Sequence, residues 1–364
     1  MKLSELISFL DSSIPLSFQE EWDNSGIQVG QPDREINSAL ITLDVTEAVV
    51  EEAILTGADL ILSHHPLIFS GIRKITGRST TERIIMDSIR NNIAVYSAHT
   101  NLDMVSNGVS MKMARKLGLE NISVLRTLKN KLLKLVTFVP EDHLDRVRNA
   151  VFSAGAGVTG NYDLCGFTAE GTGSFRGGES TKPYAGKKGI LHFEKETRFE
   201  TVLYTHLKDK VIKALLDAHP YEEVAYDIYA LENDNINSGL GCTGEFPEAV
   251  DESVFLHKLK SAFGAEGIRY SKPTGRPVKK VALCGGSGAS LLNDAVRSGA
   301  DAFVTADIKY HSYFEPDNRL LLVDCGHFET EKCSVEILYD LIVKKFPNFA
   351  VRFSKTNTNP INYL

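Results

Sequence analysis

Short apolar runs alternate with amphipathic segments along the first third of the chain. The elements predicted in turn are a helix from residue 3, strands over 39–44 and 60–62 with a helix between them, a helix over about 80–91, a strand ending before residue 99, and a helix over about 107–117. Strands alternating with helices favour a mostly parallel sheet that carries helices on both faces.

The pattern changes at about residue 127. The elements predicted there are a strand over 131–140, a helix over 141–154, strands near 189–194 and 200–206, a helix near 209–218, and a turn and strand over 219–229. The glycine-rich stretch 155–189 shows little periodicity, and 233–241 resembles a linker. Two β-α-β halves in this space indicate an inserted ferredoxin-like α+β domain.

The last third returns to the first pattern. A helix is predicted near 251–263, and a strand over 278–284 that runs into a glycine turn at 285–288. That turn is either an anion-binding loop or a plain tight turn. Residues 57–63 resemble residues 299–305, because both begin Gly-Ala-Asp and continue as a strand. We therefore predict duplicated α/β lobes over 1–127 and 237–364, with the insertion over 128–236.

Composition narrows the class of protein. A hydrophobic content of 43% and a charged content of 24% are ordinary for a globular protein. The net charge of −7 and the lack of a dense basic run argue against nucleic-acid binding. The five cysteines are scattered and form no Cys-x-x-Cys pair, which is typical of buried thiols in a reducing compartment. We expect a cytoplasmic protein, since no signal sequence and no apolar run of about 20 residues is present.

Histidines follow three of the predicted strands. His64 and His65 come directly after 60–62, and at the carboxyl edge of an open α/β sheet ligands commonly bind. His99 and His327 each follow another apolar strand and have a carboxylate four residues later. If a helix begins at His327, this spacing places the carboxylate on the same face. The alternative for the adjacent pair is a solvated loop.

These strand ends supply nitrogen and oxygen ligands without a thiolate. That set suits Zn²⁺, Mn²⁺ or Fe²⁺ better than it suits a structural cysteine-rich zinc site. More than four such ligands exceed one tetrahedral site, and they do not saturate two ions. A dinuclear site with a bridging carboxylate and open positions for water fits that number.

Several motifs together resemble the GTP cyclohydrolase I type 2 homologue family, also called the NIF-three-like family. They are Trp22-Asp23-Asn24-Ser25-Gly26, Ser63-His64-His65-Pro66, His99-Thr100-Asn101-Leu102-Asp103, Cys284-Gly285-Gly286-Ser287-Gly288 and Gly326-His327-Phe328-Glu329-Thr330-Glu331. The resemblance implies two divalent metal ions per subunit, of zinc, manganese or iron, and a ring-shaped homohexamer. The metal ligands that it implies are His64, His65, Asp103, His327 and Glu331.

Other polar residues near these motifs are candidates for supporting roles. The resemblance does not make His99 a ligand, so we assign it a role beside the ligands or toward a substrate. Asp307 and His311 follow the strand that matches the His-His strand, and they are candidates for proton transfer or for a structural role. Trp22, the only tryptophan, is interpreted as a packing anchor in preference to a ligand platform.

The insertion resembles the trimeric PII-like and CutA-like domains, and its His219-Pro220-Tyr221-Glu222 turn carries that likeness. The resemblance implies trimer contacts and a regulatory or gating role. It does not imply the main chemistry.

Two functions are compatible with these patterns. The first is a metal-dependent hydrolase of a nucleotide or another phosphorylated small molecule, with opening of the GTP ring among the possible reactions. The second is a non-enzymatic, metal-binding regulatory or scaffold hexamer whose inserted domain senses a ligand. An enzyme needs an exchangeable water at the metal, whereas a binding-only site tolerates closed coordination. A third function, a transcription-related adaptor, is not supported, because the sequence contains no basic patch.

Overall fold

The computed structural model describes residues 1–160 and 162–364. The chain divides into two compact units, one formed by residues 1–127 and 237–364 and the other by residues 128–236. Within the described residues, no helix is both long enough and apolar enough to cross a bilayer.

The first part of the larger unit alternates strands with helices. Its elements are α1 (Leu3–Ser13), β1 (Gly26–Val29), β2 (Ser38–Thr42), α2 (Glu47–Thr56), β3 (Leu60–Ser63), α3 (Thr80–Arg90), β4 (Ala94–Ser97), α4 (Thr100–Met104), α5 (Val109–Lys116) and β5 (Glu120–Leu128). Every predicted helix and strand of this part is present, within a few residues of its expected bounds. Helix α4 and strands β1 and β5 are additional.

The smaller unit is an antiparallel sheet packed against two helices. Its elements are β6 (Leu132–Pro140), α6 (Leu144–Ser153), β7 (Gly166–Phe175), β8 (His192–Tyr204), α7 (Lys208–Ala218) and β9 (Tyr226–Leu231). The strand order β7-β8-β6-β9 is that of a ferredoxin-like split βαβ fold. Apolar side chains of β6 and β8 pack against α6 and α7 to form its core. The finer likeness to PII-like and CutA-like domains stays a prediction.

Two predictions for the insertion are wrong in detail. The glycine-rich stretch contains β7, whose side chains are mostly exposed, so an alternating apolar signal is missing. The two short strands near 189–206 are one long strand, β8, which pairs with both β6 and β7.

The chain then returns to the larger unit. The remaining elements are β10 (Asn235–Val250), α8 (Glu252–Phe263), β11 (Arg269–Tyr270), β12 (Val278–Leu283), α9 (Leu292–Arg297), β13 (Ala302–Thr305), β14 (Leu321–Asp324), α10 (His327–Glu331), α11 (Ser334–Lys345) and β15 (Ala350–Phe353). The predicted linker over 233–241 is wrong, because most of it lies in β10. The residues of this segment are small and polar, so they do not show the apolar pattern of a strand. Strand β10 nevertheless pairs with β12 and β5.

The two sheets of the larger unit repeat one arrangement. Their strand orders are β1-β4-β3-β2-β15 and β11-β14-β13-β12-β10-β5. In each sheet three consecutive strands are parallel, and the third pairs with an antiparallel edge strand, β1 or β11. A continuous cluster of buried apolar side chains includes residues of both sheets. The two halves therefore share one core.

The Gly-Ala-Asp repeat has the same role in both halves. Gly57 and Gly299 have φ values of 65° and 73°, in the left-handed region that favours glycine where a helix stops. Asp59 accepts two backbone N–H groups at the start of β2, at 2.7 and 3.3 Å. Asp301 accepts two at the start of β12, both at 2.9 Å. The repeat thus fixes where each pair of neighbouring parallel strands begins.

Candidate metal centre

His64 lies at the carboxyl end of β3, and its ring is completely buried. Its Nδ1 is 2.7 Å from the carbonyl oxygen of Ala98. Since a carbonyl only accepts hydrogen bonds, Nδ1 carries the proton and Nε2 presents a lone pair. That Nε2 is buried and has no hydrogen-bond partner among the described residues. An unpaired buried acceptor is costly unless it binds something else.

His65 is oriented in the same way, but by a carboxylate. Its Nδ1 is 2.7 Å from Oδ1 of Asp44. Asp44 lies just after β2, the strand that pairs with β3. The other carboxylate oxygen of Asp44 accepts a hydrogen bond from the hydroxyl of Thr358, at 2.7 Å. A metal-ligating imidazole is usually supported by a carboxylate that accepts a hydrogen bond from its outer nitrogen, the one that points away from the metal. The inner nitrogen, Nε2, lies 2.8 Å from Oε2 of Glu331.

His327 and Glu331 occupy the two ends of α10. The i,i+4 spacing brings His327 Nε2 within 2.8 Å of Glu331 Oε2, as the sequence predicted. Asp307 orients His327, because its Oδ2 is 2.7 Å from Nδ1. The two inner nitrogens of His65 and His327 face each other at 3.2 Å beside the Glu331 carboxylate.

Asp103 completes the buried side of the cluster. It lies on α4, and its Oδ1 is 3.9 Å from His64 Nε2. This oxygen is also buried without a hydrogen-bond partner among the described residues. Burial raises the pKa of Asp103 to about 6, against the opposing effect of a charge on His64.

The electrostatics of the cluster favour positive charge at its centre. Burial alone would lower the pKa of His65, but hydrogen bonds to Asp44 and Glu331 raise it to about 9. Burial likewise opposes protonation of His327, and hydrogen bonds to Asp307 and Glu331 raise its pKa to about 10. Two protonated rings whose nitrogens are 3.2 Å apart would repel each other. A metal cation held by these nitrogens would supply the positive charge without that repulsion.

The residues therefore fit a metal ion. Ligand atoms of His64, His65 and Glu331 all lie within 4.8 Å of one another, and these three residues could hold a cation. The rings of His64 and His65 and that of His327 each have Nδ1 occupied and Nε2 directed at the cluster. Histidine nitrogen and carboxylate oxygen are ligands that zinc and neighbouring transition metals accept.

A glycine turn makes room for the shared carboxylate. Gly286 follows β12 with φ of 57°, and a Cβ at this position would collide with Oε1 of Glu331. The backbone N–H of Gly286 donates to the hydroxyl of Thr330, at 3.1 Å. The turn therefore allows a side chain of the cluster to approach the backbone closely, which neither predicted role of residues 285–288 included, and the choice between an anion-binding loop and a plain tight turn stays a prediction.

The supporting candidates divide into two groups. Asp307 and His99 lie beside the cluster: Asp307 contacts His327, and the His99 ring centroid is 5.4 Å from that of His64. His311 is exposed in the turn Tyr310–Phe314, and no hydrogen bond among the described residues joins it to the cluster. A role of His311 in proton transfer or in the structure stays a prediction.

Sequence reasoning missed Asp44 and Asp23. Asp44 is the residue at which the predicted strand 39–44 ends, beside the His-His strand, so its position alone was a signal. Asp23 lies in a turn, and its Oδ1 is 2.7 Å from Nδ1 of His99. The interpretation of Trp22 as a packing anchor is wrong, because 57% of its surface is exposed.

The fold and the cluster define a two-lobed α/β protein with a candidate metal centre formed by strand ends of both lobes. The model of the Duf34/NIF3 (NGG1p interacting factor 3) family matches residues 1–360, and the chain belongs to this family.

The similarity to known relatives extends over nearly the whole chain. A protein of Halalkalibacterium halodurans described as a GTP cyclohydrolase 1 type 2 homolog is 39% identical over 99% of this chain and 98% of its own length. A Bacillus subtilis protein with the same description is 36% identical, with the same coverage. A crystal structure of a Bacillus cereus protein related to NIF3 superposes with a TM-score of 0.88 at 38% identity, covering 100% of this chain and 99% of that one.

Substitution of Gly286 by alanine should disturb the cluster through the carboxylate of Glu331. We expect Gly286→Ala to lower the melting temperature and the zinc bound per chain, because the added Cβ displaces Oε1. Gly275→Ala is the matched control, since Gly275 has φ of 74° and open space around it. Calorimetry measures the melting temperature and elemental analysis measures the bound zinc. Both values should be lower for Gly286→Ala than for Gly275→Ala. Equal behaviour would mean that only backbone strain matters at Gly286.

Proposed function

We propose that the chain is a dinuclear metal-dependent hydrolase of a nucleotide or another phosphorylated small molecule. The observation that carries the proposal is the division of the cluster around Glu331. On one side lie His64 and Asp103, whose ligand atoms are buried without partners. On the other side lie His65 and His327, whose side chains are 22% and 31% exposed.

Each side would hold one ion. His64 and Asp103 would hold the buried ion, His65 and His327 the outer one, and Glu331 would be shared by both. Divalent ions held there would supply Lewis acidity, which activates water for attack on a phosphoester or an electron-poor ring carbon. The partial exposure of the outer pair leaves room for an exchangeable water, which a catalytic site needs and a structural site lacks.

The chain's own residues would keep the ligands in place. Asp44 and Asp307 hold the outer nitrogens of His65 and His327 and stabilise them as hydrogen-bond donors, so the inner nitrogens stay available. Asp23 holds His99 in the same way, with the ring beside His64 and His65. The other nitrogen of His99 is then available to a substrate.

The names of the relatives suggest which substrate to test first. Two of them are described as homologs of GTP cyclohydrolase 1 type 2, which makes GTP a natural first substrate to test. The proposal includes assembly of the chain as a homohexamer. It also includes zinc, manganese or iron as the bound metal.

Removal of the shared carboxylate tests the hydrolase directly. We expect Glu331→Ala to remain folded and to lose both bound metal and turnover by at least about 100-fold, because Glu331 contacts His65 and His327 at once. Turnover is measured with GTP, other nucleotides and simple phosphoesters after reconstitution with Mn²⁺, Zn²⁺ or Fe²⁺.

The matched control is Glu329→Gln. Glu329 is buried on the same helix but turns away, with its Oε1 accepting a hydrogen bond from Asn359 at 3.0 Å. This variant should keep metal and turnover. If the wild-type protein showed no turnover above Glu331→Ala with any metal, the hydrolase would be rejected in favour of a metal-binding regulatory or scaffold assembly.

Substitution of Asp44 tests how the cluster is supported. We expect Asp44→Ala to weaken metal binding by about 10- to 100-fold, because His65 loses the carboxylate that orients it. Thr358→Val should weaken binding less, since it removes only the hydrogen bond to Asp44. Competition with a chelator measures both affinities, and Asp33→Ala, at an exposed position, is the control. An unchanged affinity in Asp44→Ala would contradict the role of Asp44 as the support of His65.

A further inference from the structure

Three aromatic rings gather beside the metal cluster, and two of them are largely exposed. Trp22 is 57% exposed and Phe69 is 56% exposed, whereas His99 is 9% exposed. The ring centroids of Trp22 and Phe69 are 5.7 Å apart, and those of Trp22 and His99 are 5.9 Å apart. Exposed tryptophan and phenylalanine side chains held together in this way need an explanation other than packing.

The rings are held by a dense set of hydrogen bonds. Asp23, next to Trp22, accepts from the ring of His99 at 2.7 Å and from both the backbone and the hydroxyl of Thr100, at 3.1 and 2.5 Å. It also accepts from the Ser25 hydroxyl at 3.0 Å. The backbone that carries Trp22 is therefore fixed to the segment that carries His99.

The segment with Phe69 is joined to the same turn. The side chain of Asn24 donates to the carbonyl of Ile68 at 2.6 Å, and Gln28 accepts from the backbone N–H of Ile68 at 3.1 Å. Gln28 in turn donates to the carbonyl of Asn24, at 2.6 Å. A preorganised pair of exposed rings costs little conformational entropy when a ligand stacks on it.

The aromatic surface is continuous with the metal ligands. The ring centroid of His99 lies 5.9 Å from that of Trp22, and 5.4 and 5.5 Å from those of His64 and His65. A flat molecule on Trp22 and Phe69 would therefore extend its substituents past His99 to the cluster. We propose that Trp22, Phe69 and His99 form a binding subsite for the planar heteroaromatic ring of a small-molecule substrate.

This inference rests on the proposed function and narrows its substrate class. Stacking on an aromatic side chain does not depend on the identity of the ring, because every base presents a π face. The cluster would then receive the phosphate that the ring carries as a substituent. Among phosphorylated compounds, the subsite selects those that carry a nucleobase-like ring over simple sugar phosphates.

The sole tryptophan makes the test direct, because its fluorescence reports on this surface alone. The probes are guanosine monophosphate and ribose 5-phosphate, which share a phosphorylated ribose and differ in the ring. With the zinc-loaded protein we expect saturable quenching by guanosine monophosphate, and binding at least about fivefold tighter than that of ribose 5-phosphate.

Variants assign the effect to the rings. Phe69→Leu, and Trp22→Leu measured by calorimetry, should each weaken binding of guanosine monophosphate several-fold and leave ribose 5-phosphate unchanged. Phe353→Leu is the matched control, since Phe353 is 44% exposed and lies on β15, at the opposite edge of the sheet from β1. Equal affinities for the two probes, or unchanged binding in both ring variants, would overturn the subsite.

Two further results separate the alternatives. If light scattering shows that Trp22→Leu and Phe69→Leu reduce the size of the assembly, the rings form a contact between copies of the chain and the subsite is rejected. Ring-dependent binding without turnover of any compound would uphold the subsite and contradict the hydrolase. Turnover of sugar phosphates as fast as of nucleotides would uphold the hydrolase and contradict the subsite.

Discussion

The buried carboxylate of Glu331 is the constraint on which the site depends. One of its oxygens lies 2.8 Å from nitrogens of both His65 and His327 and 3.7 Å from that of His64. A buried carboxylate surrounded by imidazoles is stable only when positive charge accompanies it, and here either protons or metal ions can supply that charge. The unpaired ligand atoms of His64 and Asp103 favour metal ions, since protonation of the outer histidines leaves those atoms without partners.

The duplicated fold explains how this carboxylate meets its partners. Parallel strands present their carboxyl ends at one edge of a sheet, and each lobe contributes such an edge to the same cluster. Asp59 and Asp301 anchor equivalent strands in the two lobes, so the edges are set by the same local device. Residues more than two hundred positions apart thereby come within hydrogen-bonding distance.

Much of this could be predicted from local patterns. The helices and buried strands of the lobes have strong periodicity, and the i,i+4 relation of His327 and Glu331 follows from helix geometry alone. Strand β7 was missed because its residues are exposed and rich in glycine, and β10 because its residues are small and polar. The pattern of apolar and polar residues reveals a strand only where one face of the strand is buried. Strands β7 and β10 lack the alternation that burial produces.

The supporting residues were harder to predict for another reason. Asp44 and Asp23 act through contacts that are distant in sequence, to His65 and His99, and no spacing rule links them. Trp22 was misinterpreted because a large apolar side chain is usually buried, and only its surroundings in the fold show that it faces solvent beside the cluster. The ligand roles and the number of ions remain predictions that a structure with metal bound can decide.

That structure is the measurement that bears most directly on the central claim. Crystals of the zinc-loaded protein, with anomalous diffraction recorded above and below the zinc edge, locate each ion independently of the protein atoms. We expect two anomalous peaks per chain, about 3.5–4 Å apart, with Glu331 next to both. A single peak, or a pair of ions that does not share Glu331, would contradict the central claim.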